Sequence, residues 1–319
     1  MDVFSQVRAA CQTVAERSQA VRVDYDRLKI YAETLPVDQT TKPTHDPNFH
    51  YLGHGDGTVA FFLILDAINF GSGYFPKIRK RPGLSGYFTI AASLNDYFRQ
   101  HGPLTPRQCA RLSLFDCAKI FGQSPNNDAA RHLMRHFSAA LNDLGHLVLQ
   151  RYEGSFGAIV ETASGSAAKL VELLAEMPYF RDVQVYEDIE VPFYKRAQLT
   201  AADLTLAFDG QGPGRFDDLE RLTIFADNLV PHVLRVDGVL RYDPELASRI
   251  DEDELVPAGS PEEIEIRACA LHAVEQIVGE LHAHGRQVSA VTLDYLLWNR
   301  GQQPHYKARP RHRTRTVFY

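Results

Sequence analysis

A mainly α-helical fold with a few short β-strands is what this sequence predicts, on three observations. Apolar residues recur at helical spacing through most of the chain, the mark of amphipathic helices. Two helix starts are spelled out in cap residues, Thr105 before Pro106, and Ser260 before Pro261 with Glu263 three positions on. There the cap oxygen and the proline together answer the donors that a first turn leaves unbonded. Runs with strand character are few and short.

In chain order, the apolar periodicity predicts helices over 2–18, 57–69, 88–101, 106–118, 127–152, 166–176 and 192–207, and from Pro261 to about Gly285. Extended segments are expected at Val183 to Tyr186 and at Arg81 to Thr89, where Pro82, Gly83 and Gly86 punctuate β-friendly residues. Asp251-Glu252-Asp253-Glu254 reads as a solvated acidic surface, and Gly259-Ser260-Pro261 as the boundary before the next helix. Asp66 and Asp294 each interrupt a strongly apolar helix, Phe61 to Phe70 and Val291 to Trp298. A lone carboxylate on such a face needs a cation or donors to stay charged, so pairing with an arginine is the ordinary reading and a cationic or hydroxylated ligand the alternative.

With 319 residues and 45% hydrophobic content, the chain can bury a large core. One domain over 1–319 is expected, or two closely packed lobes meeting near residue 155. A formal net charge of -6 argues against duplex nucleic acid as the main partner, since polyphosphate affinity rests on many Lys and Arg contacts. Cys11, Cys109, Cys117 and Cys269 show no metal or redox spacing and read as buried thiols of an intracellular protein. The longest apolar run, Val59 to Phe70, is well short of the roughly 20 residues of a membrane span. Met1 to Ser18 carries Asp2, Arg8, Glu16 and Arg17 and reads as an amphipathic helix, not a leader. A cytoplasmic protein off the membrane is the expectation. The sequence is silent on oligomeric state.

Several short motifs are set aside on chemistry. His132 and His136 stand one helical turn apart, but Leu133 occupies the place of a zincin's general-base Glu. Ser166-Ala167-Ala168-Lys169 has the spacing of a β-lactamase nucleophile without its companion motifs, and reads as a helix start. Gly53-His54-Gly55-Asp56-Gly57 fits neither phosphate-loop pattern and reads as a turn into the next helix.

The stretch Ala207 to Leu234 reads as helix, Gly-rich turn, short helix, Asp227, helix. That order is similar to the helix-hairpin-helix DNA glycosylases, whose Asp stabilises an oxocarbenium-like centre during N-glycosidic cleavage. A helix N-terminus would keep such a carboxylate ionised. By themselves, these residues are better read as an ordinary Asp N-cap and a routine turn. Lys195 sits in a helical pattern with Gln198 on the same face, where a lysine ordinarily lays its stem over apolar neighbours. In the tail, Arg311, Arg313 and Arg315 share one side of an extended strand, and Val317-Phe318-Tyr319 offers an anchor that a loose tail would not need.

Other segments change the balance. Asp66-Ala67-Ile68-Asn69-Phe70, Ser85-Gly86-Tyr87-Phe88, Phe193-Tyr194-Lys195-Arg196-Ala197-Gln198, Phe225-Ala226-Asp227, Glu265-Ile266-Arg267, Leu293-Asp294-Tyr295-Leu296-Leu297-Trp298 and His312 to Tyr319, in this order, resemble the queuosine salvage proteins. The likeness runs over nearly the whole chain. It implies a helical hydrolase that cleaves queuosine 5'-monophosphate to queuine and ribose 5-phosphate, with no cofactor and no metal. By the same resemblance, Asp227 and Lys195 carry the chemistry. Asp227 would stabilise the cationic anomeric carbon and orient or deprotonate the water. Lys195 would meet the 5'-phosphate or ribose hydroxyls and hold Asp227 ionised. Asp66, Asn69, Phe70, Tyr194, Gln198, Asn228, His232, Asp294, Trp298, Arg313, Arg315 and Tyr319 are the implied substrate contacts, the arginines being suited to bidentate phosphate recognition. Two rivals are a helix-hairpin-helix nucleic-acid glycosylase and a non-enzymatic nucleotide- or RNA-binding protein. Against the first stand Asp209, Asp217, Asp218 and Glu220 around the hairpin, where a duplex reader would be basic.

Overall fold

A computed structural model describes residues 2–39 and 43–319. It is mostly helical. In chain order the helices are α1 (Val3–Arg17), α2 (Tyr25–Thr34), α3 (Asp56–Ala67), α4 (Gly86–His101), α5 (Pro106–Cys109), α6 (Leu114–Ile120), α7 (Asp128–Arg151), α8 (Phe156–Ala163), α9 (Ala167–Leu174), α10 (Lys195–Ala207), α11 (Val230–Val236), α12 (Pro244–Asp251), α13 (Pro261–Ala283), α14 (Ala290–Gly301) and α15 (Pro304–Lys307). The strands are β1 (Val21–Val23), β2 (Val183–Tyr186), β3 (Ile189–Pro192) and β4 (Leu240–Tyr242). They form two antiparallel pairs, β1 with β4 and β2 with β3.

The chain divides into two compact units, each assembled from separated segments. The first takes residues 1–42, 182–195 and 220–315; the second takes 43–181, 196–219 and 316–319. The division therefore differs from the expected meeting of lobes near residue 155, which lies inside the second unit. Periodicity reports which face of a helix is apolar, not which distant segment covers it.

The first unit is built round α13. Ser260 caps it, its hydroxyl accepting from the Glu263 N–H, and Pro261 fills the first turn, as the cap residues predict. Ile264, Ile266, Cys269, Leu271, Val274 and Ile277 are all buried, so the helix is apolar on every side, the pattern of a central helix. Helices α1, α2, α11 and α14 pack around it. Three of its charged residues, Glu263, Glu265 and Arg267, are buried as well. Glu265 Oε2 accepts from the backbone N–H groups of Gln19, Ala20 and Val21 at 3.1, 2.7 and 3.0 Å, while Oε1 accepts from the Tyr186 hydroxyl at 2.8 Å. A carboxylate so bonded meets the desolvation cost of its charge.

In the second unit, α3 is buried from Thr58 to Ala67 and packs against α4, α7 and α8. The expected helix over 106–118 is two helices. Ser113 forms a reciprocal capping box with Asp116, restarting the chain after a turn, and this local bonding defeats the continuous periodicity. The backbone of that turn touches α7 at Gly145, where an added Cβ would lie 2.4 Å from the Ala110 nitrogen. Gly145→Ala should therefore destabilise the fold by about 1–3 kcal/mol, because neither backbone can retreat without straining the packing. Thermal melting checks it.

The extended stretch expected at Arg81 to Thr89 is instead a turn followed by the start of α4, with Ser85 as its N-cap accepting from the Phe88 N–H at 3.2 Å. The cap oxygen outweighs the β-friendly composition. Val183 to Tyr186 is a strand as expected, but its partner Ile189–Pro192 shortens the helix expected from residue 192, which begins at Lys195. Ser166 caps α9, bearing out the structural reading of that motif.

His45 and His50, in the second unit, are enclosed side by side, ring centroids 4.6 Å apart, His50 stacking on Phe62. Burial pushes both imidazoles down to about 4, with the His45 charge adding to the effect on His50. Their folded-state values lie below the unfolded value of 6.5. Stability is therefore intact above pH 6.5 and is lost as pH falls from there towards 4, by at most about 3 kcal/mol per ring. Urea midpoints at pH 7 and pH 4.5 should show the fall, and a His45→Asn/His50→Asn protein should show a shallower one.

Candidate active site

Five segments of the first unit build the site. Phe225-Ala226-Asp227 arrives in extended conformation and bends into α11. Asp227 is half-buried, and its Oδ1 accepts from the Leu229 N–H at 2.7 Å and the Val230 N–H at 3.4 Å. Both donors point at the carboxylate. Pro231 in the first turn of α11 leaves no further donor to compete there.

Asp294, on α14, is 3% exposed. Its Oδ1 accepts from the Phe225 N–H at 2.9 Å, which ties α14 to the segment leading into Asp227. Burial, and then the charge of Asp227, hold its carboxyl well above the usual carboxylate range, against the opposing pull of the Phe225 N–H and the Lys195 ammonium. Asp294 is thereby biased towards its neutral form beside the charge of Asp227. Trp298 stands one turn further along α14, partly buried, on the Asp294 face of the helix.

Lys195 is 6% exposed, so the ordinary reading of a surface lysine does not hold. The chain reaches it through Tyr194, whose φ of 48° is left-handed, a conformation that costs a non-glycine residue about 1 kcal/mol or more and persists only where its surroundings impose it. Here the Asp182 carbonyl accepts from the N–H groups of Phe193 and Tyr194 at 2.9 and 3.3 Å, and Asp182 Oδ2 from the Lys195 N–H at 3.2 Å.

The tail supplies the remaining side. Asn228 Nδ2 donates to the His312 carbonyl at 3.3 Å, and the Val256 N–H to the Arg313 carbonyl at 2.9 Å, so residues 312–313 are pinned beside the Asp227 bend. His312, Thr314 and Thr316 are buried while Arg311 and Arg315 are exposed, which bears out the alternation. The arginines divide their labour differently from expectation. The Arg313 guanidinium is taken by Asp253, at 2.8 Å to Oδ1 and 3.1 Å to the carbonyl. Arg311 is the one whose charge interacts with Asp227. His232 is buried, with Nε2–H donating to the Tyr306 carbonyl at 2.9 Å, so it fastens α15 to α11. Burial and the Arg311 charge push His312 down to about 3, leaving it neutral.

The other expected contacts lie in the second unit, around Arg196. Its guanidinium donates to the carbonyls of Asp66 and Ala67 and, at 2.8 Å, to that of Val317. It also lies over the rings of Phe70 and Phe180, 4.9 and 4.8 Å from their centroids. Phe70 also meets Phe137 edge-on, so its ring is occupied by core neighbours. Asn69 Nδ2 reaches Asp66 Oδ1 at 3.5 Å. Gln198 is buried on α10, and Tyr319 is buried with its carbonyl accepting from the Gly71 N–H at 3.0 Å, which docks the tail as expected. Among the described residues, no three His, Cys, Asp or Glu side chains come together in a way that would hold a metal ion. No described helix is long and apolar enough to cross a membrane.

A half-buried carboxylate at a bend, with a buried carboxyl and a buried lysine near enough for their charges to act on one another, is thus assembled in a mostly helical protein. The profile of the queuosine salvage proteins matches residues 49–319. A protein of Sphaerobacter thermophilus named queuosine 5'-phosphate N-glycosylase/hydrolase is 38% identical, the match covering 98% of this chain and 97% of that one. Proteins of the same name from Mus musculus, 32% identical over 98% of both chains, and from Dictyostelium discoideum, 37% identical over 82% of this chain and 78% of that one, are similar too. The chain belongs to the queuosine salvage protein family.

The sequence marks Arg311 in the alternation of the tail and Arg267 in the Glu265-Ile266-Arg267 motif without giving either a place in the site. Asp182 precedes the Val183 strand with nothing local to mark it.

Proposed function

We propose that this protein hydrolyses the N-glycosidic bond of queuosine 5'-monophosphate, releasing queuine and ribose 5-phosphate. The observation that carries the reading is the unequal carboxyl pair, Asp227 held by helix N–H groups and Asp294 kept neutral by burial beside it. As the bond from C1' to the base nitrogen breaks, its electrons leave with the base and C1' becomes cationic. Asp227 stabilises that charge and takes a proton from the water whose oxygen bonds to C1'. Queuine has no N7 to protonate, so its proton arrives elsewhere on the ring. Asp294 in its neutral form donates a hydrogen bond into the same pocket, and Lys195 and Arg311 supply the cations for the phosphate and ribose. No cofactor enters this scheme, and the small nucleotide, not duplex nucleic acid, is the partner. Asp209, Asp217 and Asp218 keep the hairpin acidic, and Asp218 is spent accepting from the Ser166 hydroxyl and the Ala167 and Ala168 N–H groups. A reducing, cytoplasmic setting suits four buried free thiols.

Incubation with queuosine, its 5'-monophosphate and ordinary purine nucleotides, followed by mass separation of the products, tests the reading. Free queuine from the monophosphate is expected. Release from none of them, or only from ordinary purine nucleotides, overturns it.

A further inference from the structure

We infer that Arg267 and Asp182 form a positioning pair that sets the Lys195 corner and the Asp227 bend at a fixed separation; the inference rests on the reaction proposed above. Arg267 is fully buried on α13. Its Nε–H donates to the Ala226 carbonyl at 2.9 Å, the peptide oxygen immediately before Asp227. Its two terminal nitrogens grip Asp182 in a fork, at 3.0 Å to Oδ1 and 2.6 Å to Oδ2. Asp182 in turn receives the N–H groups of Phe193, Tyr194 and Lys195. One rigid guanidinium therefore spans both segments, and the Phe193 ring lies under it, 3.9 Å from the Arg267 Cζ.

Stability alone is a poor reason for this arrangement. A buried ion pair loses much of its Coulombic gain to desolvation, and apolar residues of similar volume commonly hold a fold as well or better. What apolar residues lack is the planar fork with fixed donor directions. Several features depend on those directions. Tyr194 is left-handed where its N–H donates to the Asp182 carbonyl. Lys195 follows directly and enters the pocket from that corner. On the other side, the Ala226 peptide sets the plane from which Asp227 turns towards α11. Reacting groups displaced by an ångström lose on the order of 100-fold in rate even when they remain present. The pair touches no substrate; it acts through Asp227 and Lys195.

The test removes both members of the pair at once, in an Arg267→Met/Asp182→Leu protein; the buried Glu263, 3.6 Å from the Arg267 guanidinium, loses that ion-pair partner, so the fold is checked first. Melting temperature and far-ultraviolet circular dichroism report the fold. With queuosine 5'-monophosphate, kcat is expected to fall at least about 30-fold with KM changed less than about threefold. In an Asp227→Asn background the same pair should cost far less than it costs alone, because one of the two groups it positions is already gone. Amide hydrogen exchange should show residues 193–195 and 225–227 losing protection together while the rest of α13 keeps it. A folded double variant with parental kcat overturns the inference, as does a loss that multiplies fully with Asp227→Asn. Should the double variant fail to fold, Arg267→Lys, which keeps the charge and loses the fork, is measured in the same way and judged by the same outcomes. If the parent protein releases no queuine, the reaction proposed above fails by itself, and the coupling of the two segments is still decided by the exchange experiment.

Discussion

Asp227→Asn is expected to fold as the parent does and to lose at least about 100-fold in kcat, since removing a preorganised charge partner of a cationic transition state typically costs that much or more. The fold should survive because the amide oxygen can still accept from Leu229 and Val230, the two donors that hold the carboxylate. Nucleotide binding should survive too, because the ground state carries no charge at C1' for Asp227 to meet. Queuine release under saturating queuosine 5'-monophosphate measures the first quantity, and calorimetric titration with the same nucleotide the second. Parental turnover in a folded Asp227→Asn protein would remove this carboxylate from the chemistry and shift attention to Asp294.

The second large effect is expected at Arg311. With the Arg313 guanidinium held by Asp253, Arg311 is the tail arginine left open beside Asp227. Arg311→Gln should lower kcat/KM for the 5'-monophosphate by about 10- to 100-fold, the range for one charge-assisted hydrogen bond, and leave the unphosphorylated nucleoside nearly untouched. The comparison of the two substrates separates two roles. An arginine that reads phosphate changes their ratio, whereas one that serves only to keep Asp227 ionised slows both equally. An unchanged ratio in a folded variant would assign phosphate to Lys195 or to another cation.

Most of the helices were legible because each carries its own apolar stripe and, in α4, α9 and α13, a side chain that caps it. The short strands were not. β1 and β4 pair across more than half the chain, and three-residue strands have too little alternation to register. Asp227 and Lys195 were reached through short motifs that gather all their signal locally. Their supports were not, because Arg267 meets Asp182 and Ala226 across separations that no local pattern marks. Phe70 shows the converse limit. By resemblance Phe70 is a substrate contact, and no local pattern announces that Arg196 and Phe137 lie against its ring.

The first unit draws on three stretches of chain, and its central helix, α13, comes near the end while α1, which packs on it, comes near the beginning. On a ribosome adding roughly 5–20 residues per second, α1 emerges tens of seconds before its partner is made. Its buried residues Val7, Cys11 and Val14 spend that interval without their native cover. The second unit, whose helices α3 to α9 follow one another without interruption, can assemble most of its contacts meanwhile. Synthesis therefore imposes an order in which the first unit closes last. Chaperone dependence, if the protein has any, should track the early amphipathic α1 more than any residue of the site.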